Sequence, residues 1–239
     1  MFIFMHNLQI MHETGAHTTV SEQAFLALRT DVLSGKHAPE SKLKVEALQN
    51  HYGFSSSPLR EALNRLVQEG LVKADERRGF RVAPISPQDL ADITKMRLLL
   101  DVAALDESIR CGDDAWEARI VASFHRLEKI ESRLPQGPVV LDAEWSQRHR
   151  DFHLSLMAAC PSERQLTWSM SLFDQAERYR HFAARNRTVL KKKDAEHRAL
   201  MKAVVRRDAP TATQLLSEHI ASTQTNVLAA FAAQQNNPT

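Results

Sequence analysis

The chain has 239 residues, 43% of them apolar and 25% charged, with a formal net charge of +2. That length suits one large domain or two modest ones with a real core. The seven glycines argue against a β-sandwich or long glycine-rich loops, and no apolar run approaches the roughly 20 residues of a membrane span. The charge is close enough to balance that any nucleic-acid surface must come from local clustering. Cys111 and Cys160 have no metal-type spacing and are expected to be small core residues of a reduced, cytoplasmic protein.

Met1 to Met11 is apolar in patches but has neither a basic leader nor a small-residue cleavage site, so residues 1–20 are expected to be a disordered tail, with Met5 or Met11 as alternative starts. Residues 21–86 read as a small domain of short helices and a hairpin. Ser21 to Leu33 forms a helix with Phe25, Leu28, Val32 and Leu33 on one face, ended by Gly35. A second helix runs from about Lys44 to His51, and Gly53 makes the turn after it. A third enters at Ser55-Ser56-Ser57-Pro58 and continues to Glu69 with Leu59, Leu63, Leu66 and Val67 inward. Leu71-Val72-Lys73 and Phe80-Arg81-Val82 then flank a polar tip, which predicts a two-stranded wing.

Helix, short helix, glycine turn, helix and hairpin is the order of a winged helix-turn-helix. Ser55, Ser56, Ser57, Arg60 and Asn64 fall on the outer face at the start of the third helix, where hydroxyls, a guanidinium and the helix field suit phosphate. Arg77, Arg78 and Gly79 occupy the wing tip. Contact with double-stranded DNA is therefore expected at these eight positions.

Pro84-Ile85-Ser86-Pro87 reads as the linker, because each proline turns its predecessor away from helix; Ser86 can cap the helix that begins at Pro87. Residues 87–239 then show about six amphipathic helices with almost no strand character, as in an antiparallel bundle. His149 and His153 are four apart and share one helix face with Leu156, Met157 and Cys160. His197 shares its stripe with Leu200, Met201 and Val204, and His219 lies beside Leu215 and Leu216. Four imidazoles on inward faces of three helices would each cost about 1–3 kcal/mol if left without partners. A shared divalent ion would satisfy all four, whereas an imidazole cluster binding an anion through water is the alternative. Arg97 sits in a very apolar helix and can serve either an anionic ligand or an i+4 ion pair with Asp101. Arg178, Arg180, Arg185 and Arg187 crowd around Tyr179; most are expected in solvent, with one or two reaching a pocket.

Two stretches also resemble known families. Ser55-Ser56-Ser57-Pro58-Leu59-Arg60-Glu61-Ala62-Leu63, the nearby Gln68-Glu69-Gly70-Leu71-Val72 and Arg78-Gly79-Phe80-Arg81-Val82 make residues 28–86 similar to the DNA-binding domain of the GntR family. Its recognition helix typically reads Ser-Arg-Thr-Pro-Val-Arg-Glu-Ala-Leu. Ser56 stands where the family usually has an arginine that grips DNA, which leaves operator preference open.

From residue 88 to about 230 the chain resembles the FCD effector domain of the FadR subfamily. The residues that carry this are His149, His153, His197 in Glu196-His197-Arg198-Ala199-Leu200, and His219 in Glu218-His219-Ile220. The family usually has aspartate where this chain has His149. The resemblance implies a metal at these four, zinc or nickel for an all-nitrogen set, with Arg97, Arg178 and Tyr179 binding the effector. Glu177-Arg178-Tyr179-Arg180 and Arg187-Thr188-Val189-Leu190 resemble the carbon-starvation-induced CsiR-type branch, which implies genes of small dicarboxylate or amino-acid breakdown. The expectation is a mainly α homodimer that represses transcription and answers to a small carboxylate or dicarboxylate. A metal-dependent hydrolase and a metabolite-insensitive architectural DNA binder are the alternatives; neither a His-Asp doublet nor a His-Glu-x-x-His motif is present for the hydrolase.

Overall fold

The computed structural model describes residues 18–75, 79–134, 138–186 and 193–236. Helix α1 (Val20–Leu33) starts at Thr19, whose side chain accepts the Glu22 N–H. Val20, the last residue of the expected tail, is thus helical, and residues 1–17 lie outside the described ones. Helix α2 (Val45–Tyr52) closes at Gly53 in the left-handed region, φ 74°. Helix α3 (Ser56–Gln68) carries Pro58 in its first turn, where a missing N–H costs no hydrogen bond.

Leu28 of α1 and Leu59, Leu63 and Leu66 of α3 are fully buried in one apolar cluster with Leu71. Arg65 fastens the same pair of helices, stacking over Phe25 and donating to Glu22 at 2.6 Å. The wing is β2 (Val72–Asp75) and β3 (Gly79–Val82), antiparallel, with Val72 opposite Val82 and Asp75 opposite Gly79. A third strand, β1 (Lys42–Leu43), pairs with the other edge of β3. Two residues are too few for an alternating pattern, so periodicity gave no sign of it.

Six helices complete the chain among the described residues: α4 (Pro87–Cys111), α5 (Asp114–Glu131), α6 (Ala143–Met157), α7 (Glu163–Asn186), α8 (Lys193–Val205) and α9 (Ala209–Asn236). Ser86 caps α4 through its side chain, with Pro87 in the first turn, and Asp113 and Asp142 cap α5 and α6 in the same way. Helix α9 lies along α4, α7 and α8, while α5 packs on α6 and α8. Trp116, Ile120, Phe124, Phe152, Leu200 and Leu216 fill the space between them. No described helix is long and apolar enough to cross a membrane.

One expectation needs correction. Cys111 is exposed at the last turn of α4, and only Cys160 is buried. Of the arginines around Tyr179, Arg178 and Arg180 are buried, because α7 is covered on most sides by the bundle and by the winged unit, and Arg185 is exposed.

Two glycines separate backbone from steric constraint. Gly53 has φ 74° and open space around a built Cβ, so Gly53→Ala should cost only the left-handed penalty, about 1–2 kcal/mol. Gly112 has an ordinary φ of −70°, but a Cβ there would lie 2.1 Å from the Trp116 ring. Gly112→Ala should therefore destabilise by about 1–3 kcal/mol and shift Trp116 fluorescence, which Gly53→Ala should not. Urea denaturation followed by emission and by circular dichroism checks both.

Candidate functional site

At the start of α3, Ser55, Ser56, Ser57, Arg60 and Asn64 are all exposed on one face. Ser55 occupies the N-cap without making a side-chain capping bond, and no acidic residue lies in the first turn. The positive end of the helix dipole and free backbone N–H groups are thus presented outward with three hydroxyls and a guanidinium. Gly79 is exposed at the start of β3 with φ 80°. Arg77 and Arg78 lie outside the described residues.

The second site is in the bundle. Helix α6 sends His149 and His153 inward from successive turns, α8 sends His197 and α9 sends His219. One nitrogen from each lies within 4.8 Å of the other three, and all four residues are buried. Ring centroids are 4.6 Å apart for His149 and His153, and 4.8 Å for His197 and His219. Phe152 and Phe173 pack against these rings, and Trp145 stacks on His149 at 4.5 Å.

The donor set fits a metal. His197 directs Nδ1 to Glu131 at 3.2 Å and leaves its buried Nε2 without a hydrogen-bond partner. His219 directs Nδ1 to Glu196 at 2.9 Å. Carboxylates that orient the far nitrogen of a ring are the usual outer support of a histidine metal ligand. Burial first, then the charges of His153 and Arg180, holds the His149 imidazole well below the ordinary histidine range, in the neutral form that metals require. Nitrogen ligands of a first-row ion lie about 2.0–2.1 Å from it, hence up to about 4.2 Å apart. Small inward shifts would bring the four to that spacing.

One wall of this cluster is charged. Burial alone would raise the Glu177 carboxyl, but Arg180, followed by His181, outweighs it and holds it at about 2. Arg180 donates to Glu177 at 2.7 Å and sits over the Phe173 ring, which Arg97 approaches at 5.1 Å. Arg97 commits its Nε to Asp101 at 2.9 Å, so the i+4 pair exists. Burial raises the Asp101 carboxyl by more than Arg97 lowers it.

Arg178 and Tyr179 are elsewhere. Arg178 donates to the carbonyls of Ala83 and Pro84, while Tyr179 donates to Asp89 at 2.5 Å and accepts the Ser86 N–H. The reason is angular: on α7, positions 177, 180 and 181 share one face, and 178 and 179 point roughly 100° and 200° away from it, onto the linker. Glu177, Arg180 and His181 are the residues that sequence reasoning did not place in the site. Their i, i+3, i+4 spacing was the available signal.

His181 meets Ser146 Oγ at 2.9 Å and Glu177 at 3.4 Å, both through Nε2. In a nucleophile triad the acid holds the opposite ring nitrogen, so this trio is not one.

Comparison with known proteins agrees with this geometry. Residues 20–82 match the bacterial regulatory proteins of the gntR family, and residues 92–222 match the FCD domain. The HTH-type transcriptional regulator BphR of Paraburkholderia xenovorans is 39% identical over 201 residues, covering 84% of this chain and 82% of the relative. The HTH-type transcriptional repressor GlaR of Escherichia coli is 36% identical, covering 85% and 93%. Among solved structures, E. coli McbR/YncC superposes with a TM-score of 0.72 at 20% identity, covering 92% of this chain and 99% of the other. A winged helix-turn-helix joined to an FCD bundle, with relatives that are transcriptional regulators and not enzymes, places the chain in the GntR family as a DNA-binding transcriptional regulator.

Proposed function

We propose that the protein is a homodimeric repressor whose operator affinity is set by a small carboxylate or dicarboxylate bound beside a zinc or nickel ion. The observation that carries this reading is the buried convergence of His149, His153, His197 and His219, each contributing one nitrogen to a common centre. An ion held there would supply a Lewis-acidic positive centre for an anionic ligand. Four neutral imidazoles bring no negative charge of their own, so the ion's charge would go uncompensated by its ligands and an anion would be favoured. Arg97 and Arg180 add cationic groups on the Phe173 side. A guanidinium has five donors, so the Asp101 and Glu177 pairs leave some of them for a carboxylate.

On the DNA side, Ser55, Ser56, Ser57, Arg60 and Asn64 of α3 would enter the major groove, with Arg77, Arg78 and Gly79 of the wing at the backbone. Serine at position 56 is shorter than arginine and cannot make its bidentate bond to guanine. Arg60 therefore carries a larger share of the reading of bases. Repression is favoured because GlaR, one relative, is a repressor. Two winged units on one dimer would meet two half-sites of a palindromic operator. Carboxylate binding would shift the dimer by its unequal affinity for the two arrangements.

Elemental analysis of tag-free protein should find about one transition metal per chain, lost in His153→Ala and in His197→Ala. Wild type that stays metal-free after incubation with zinc or nickel would sink the metal reading. Fluorescence anisotropy at fixed salt should show Arg60→Ala binding operator DNA roughly tenfold or more weakly, with an unchanged melting temperature. In the same assay, straight-chain dicarboxylates of four to six carbons should weaken wild-type binding. A response unchanged in Arg97→Gln and Arg180→Gln would remove those arginines from the effector site.

A further inference from the structure

Where the winged unit rests on the bundle, two guanidinium groups meet at one carboxylate. Asp174 of α7 is 6% exposed. It takes Arg150 in a bidentate grip, Nε to Oδ1 at 2.8 Å and Nη2 to Oδ2 at 3.2 Å. Nη2 of Arg29, from α1, reaches the same Oδ2. Arg29 also donates through Nε to Glu69 at 2.9 Å, and Glu69 is the C-cap of the recognition helix α3. A continuous charged path thus runs from the end of α3 through Glu69, Arg29, Asp174 and Arg150 onto α6.

Both bundle ends of that path adjoin the histidine cluster. Arg150 directly follows His149. On α7, Phe173 precedes Asp174 and its ring centroid lies 5.4 Å from that of His149 and 5.3 Å from that of His153. Glu177, one turn on, comes within 3.9 Å of His149 Nδ1. A cleft of about 60 Å³ lies against the bridge, lined by Arg29, Ser146, Arg150, Asp174 and Glu177 among others, so these groups have room to rearrange.

We infer that Asp174 is a latch: a positioning residue that clamps α1 of the DNA-binding domain to α6 and α7 and thereby sets operator affinity. Paired guanidinium–carboxylate bonds are directional, so a small slide of α6 against α7 alters the bite of Arg150 and the hold on Arg29. Among the described residues, Arg178 also donates to Ala83 and Pro84 and Arg185 to Ser34 and Gly35, all of them neutral carbonyls. The latch stands on its own geometry; that occupancy of the histidine site moves it rests on the proposed metal and carboxylate function.

The test uses full-length, tag-free protein and an operator selected by wild type from random duplexes. Operator affinity, amide exchange across α1 and zinc content are measured for Arg29→Ala, Asp174→Asn, the double variant and Arg29→Lys. Both single variants should change affinity at least about fivefold in the same direction and speed exchange in α1. The double variant should go no further than the singles, the mark of a shared interaction. Arg29→Lys keeps a cation for Asp174 and should stay within about twofold of wild type. Arg29→Ala leaves the Asp174–Arg150 pair intact, so it decides the matter alone if Asp174→Asn does not fold. Affinities within about twofold of wild type in the single variants, or additive effects in the double, overturn the latch. Zinc content of wild type reports separately on the histidine site.

Discussion

Four imidazoles enclosed in one bundle core constrain nearly everything around them. Taking an imidazole out of water costs free energy unless its nitrogens find partners. Helices α6, α8 and α9 have to converge at this one level, since a nitrogen from each of their histidines lies within 4.8 Å of the others. Helix α5 contributes Glu131 to hold His197, and α8 contributes Glu196 to hold His219. Trp145, Phe152 and Phe173 close the remaining sides with aromatic faces that exclude water. The bundle core is polar and aromatic near this level, and it resumes ordinary apolar packing toward Trp116 and Leu216.

Helix α7 divides its circumference between two tasks. Phe173, Glu177, Arg180 and His181 look toward the histidines, whereas Arg178, Tyr179 and Arg185 look toward the linker and the end of α1. Asp174 faces the border between them. Asp174, Glu177, Arg178 and Arg180 are all at least nine-tenths buried. Charged groups so deep are costly unless paired, and breaking one partner from such a pair costs several times what the pair contributes. Their pairing makes α7 selective about geometry, which is what a helix joining a sensor to a DNA-binding unit requires.

Much of this was legible in the sequence, and the parts that were not have a physical reason. The wing, the capping of α4 by Ser86 and the buried stripe of α3 arise from turn chemistry and period, which act locally. The histidines were legible because each sits on the apolar stripe of its own helix, so inward direction could be read one helix at a time. Arg178 and Tyr179 were assigned to the effector site and lie instead at the linker, because which face of α7 meets which neighbour depends on a rotation that composition does not encode. Which of that helix's arginines lie inward stays open in the sequence for the same reason: a charged surface reads as solvated until the unit that covers it is known. Strand β1 has only two residues and owes its existence to the β3 edge beside it.

The aromatic stack on His149 makes the protein its own spectroscopic probe. Trp145 lies parallel to that imidazole within 15°, while Trp116 is sealed in the aliphatic core and Trp168 stands 63% exposed on the outside of α7. The three indoles thus sample three separate environments. Only the emission of Trp145 is coupled through direct ring contact to the electronic state of the site. Emission from that one side chain would report an ion or ligand entering among the histidines.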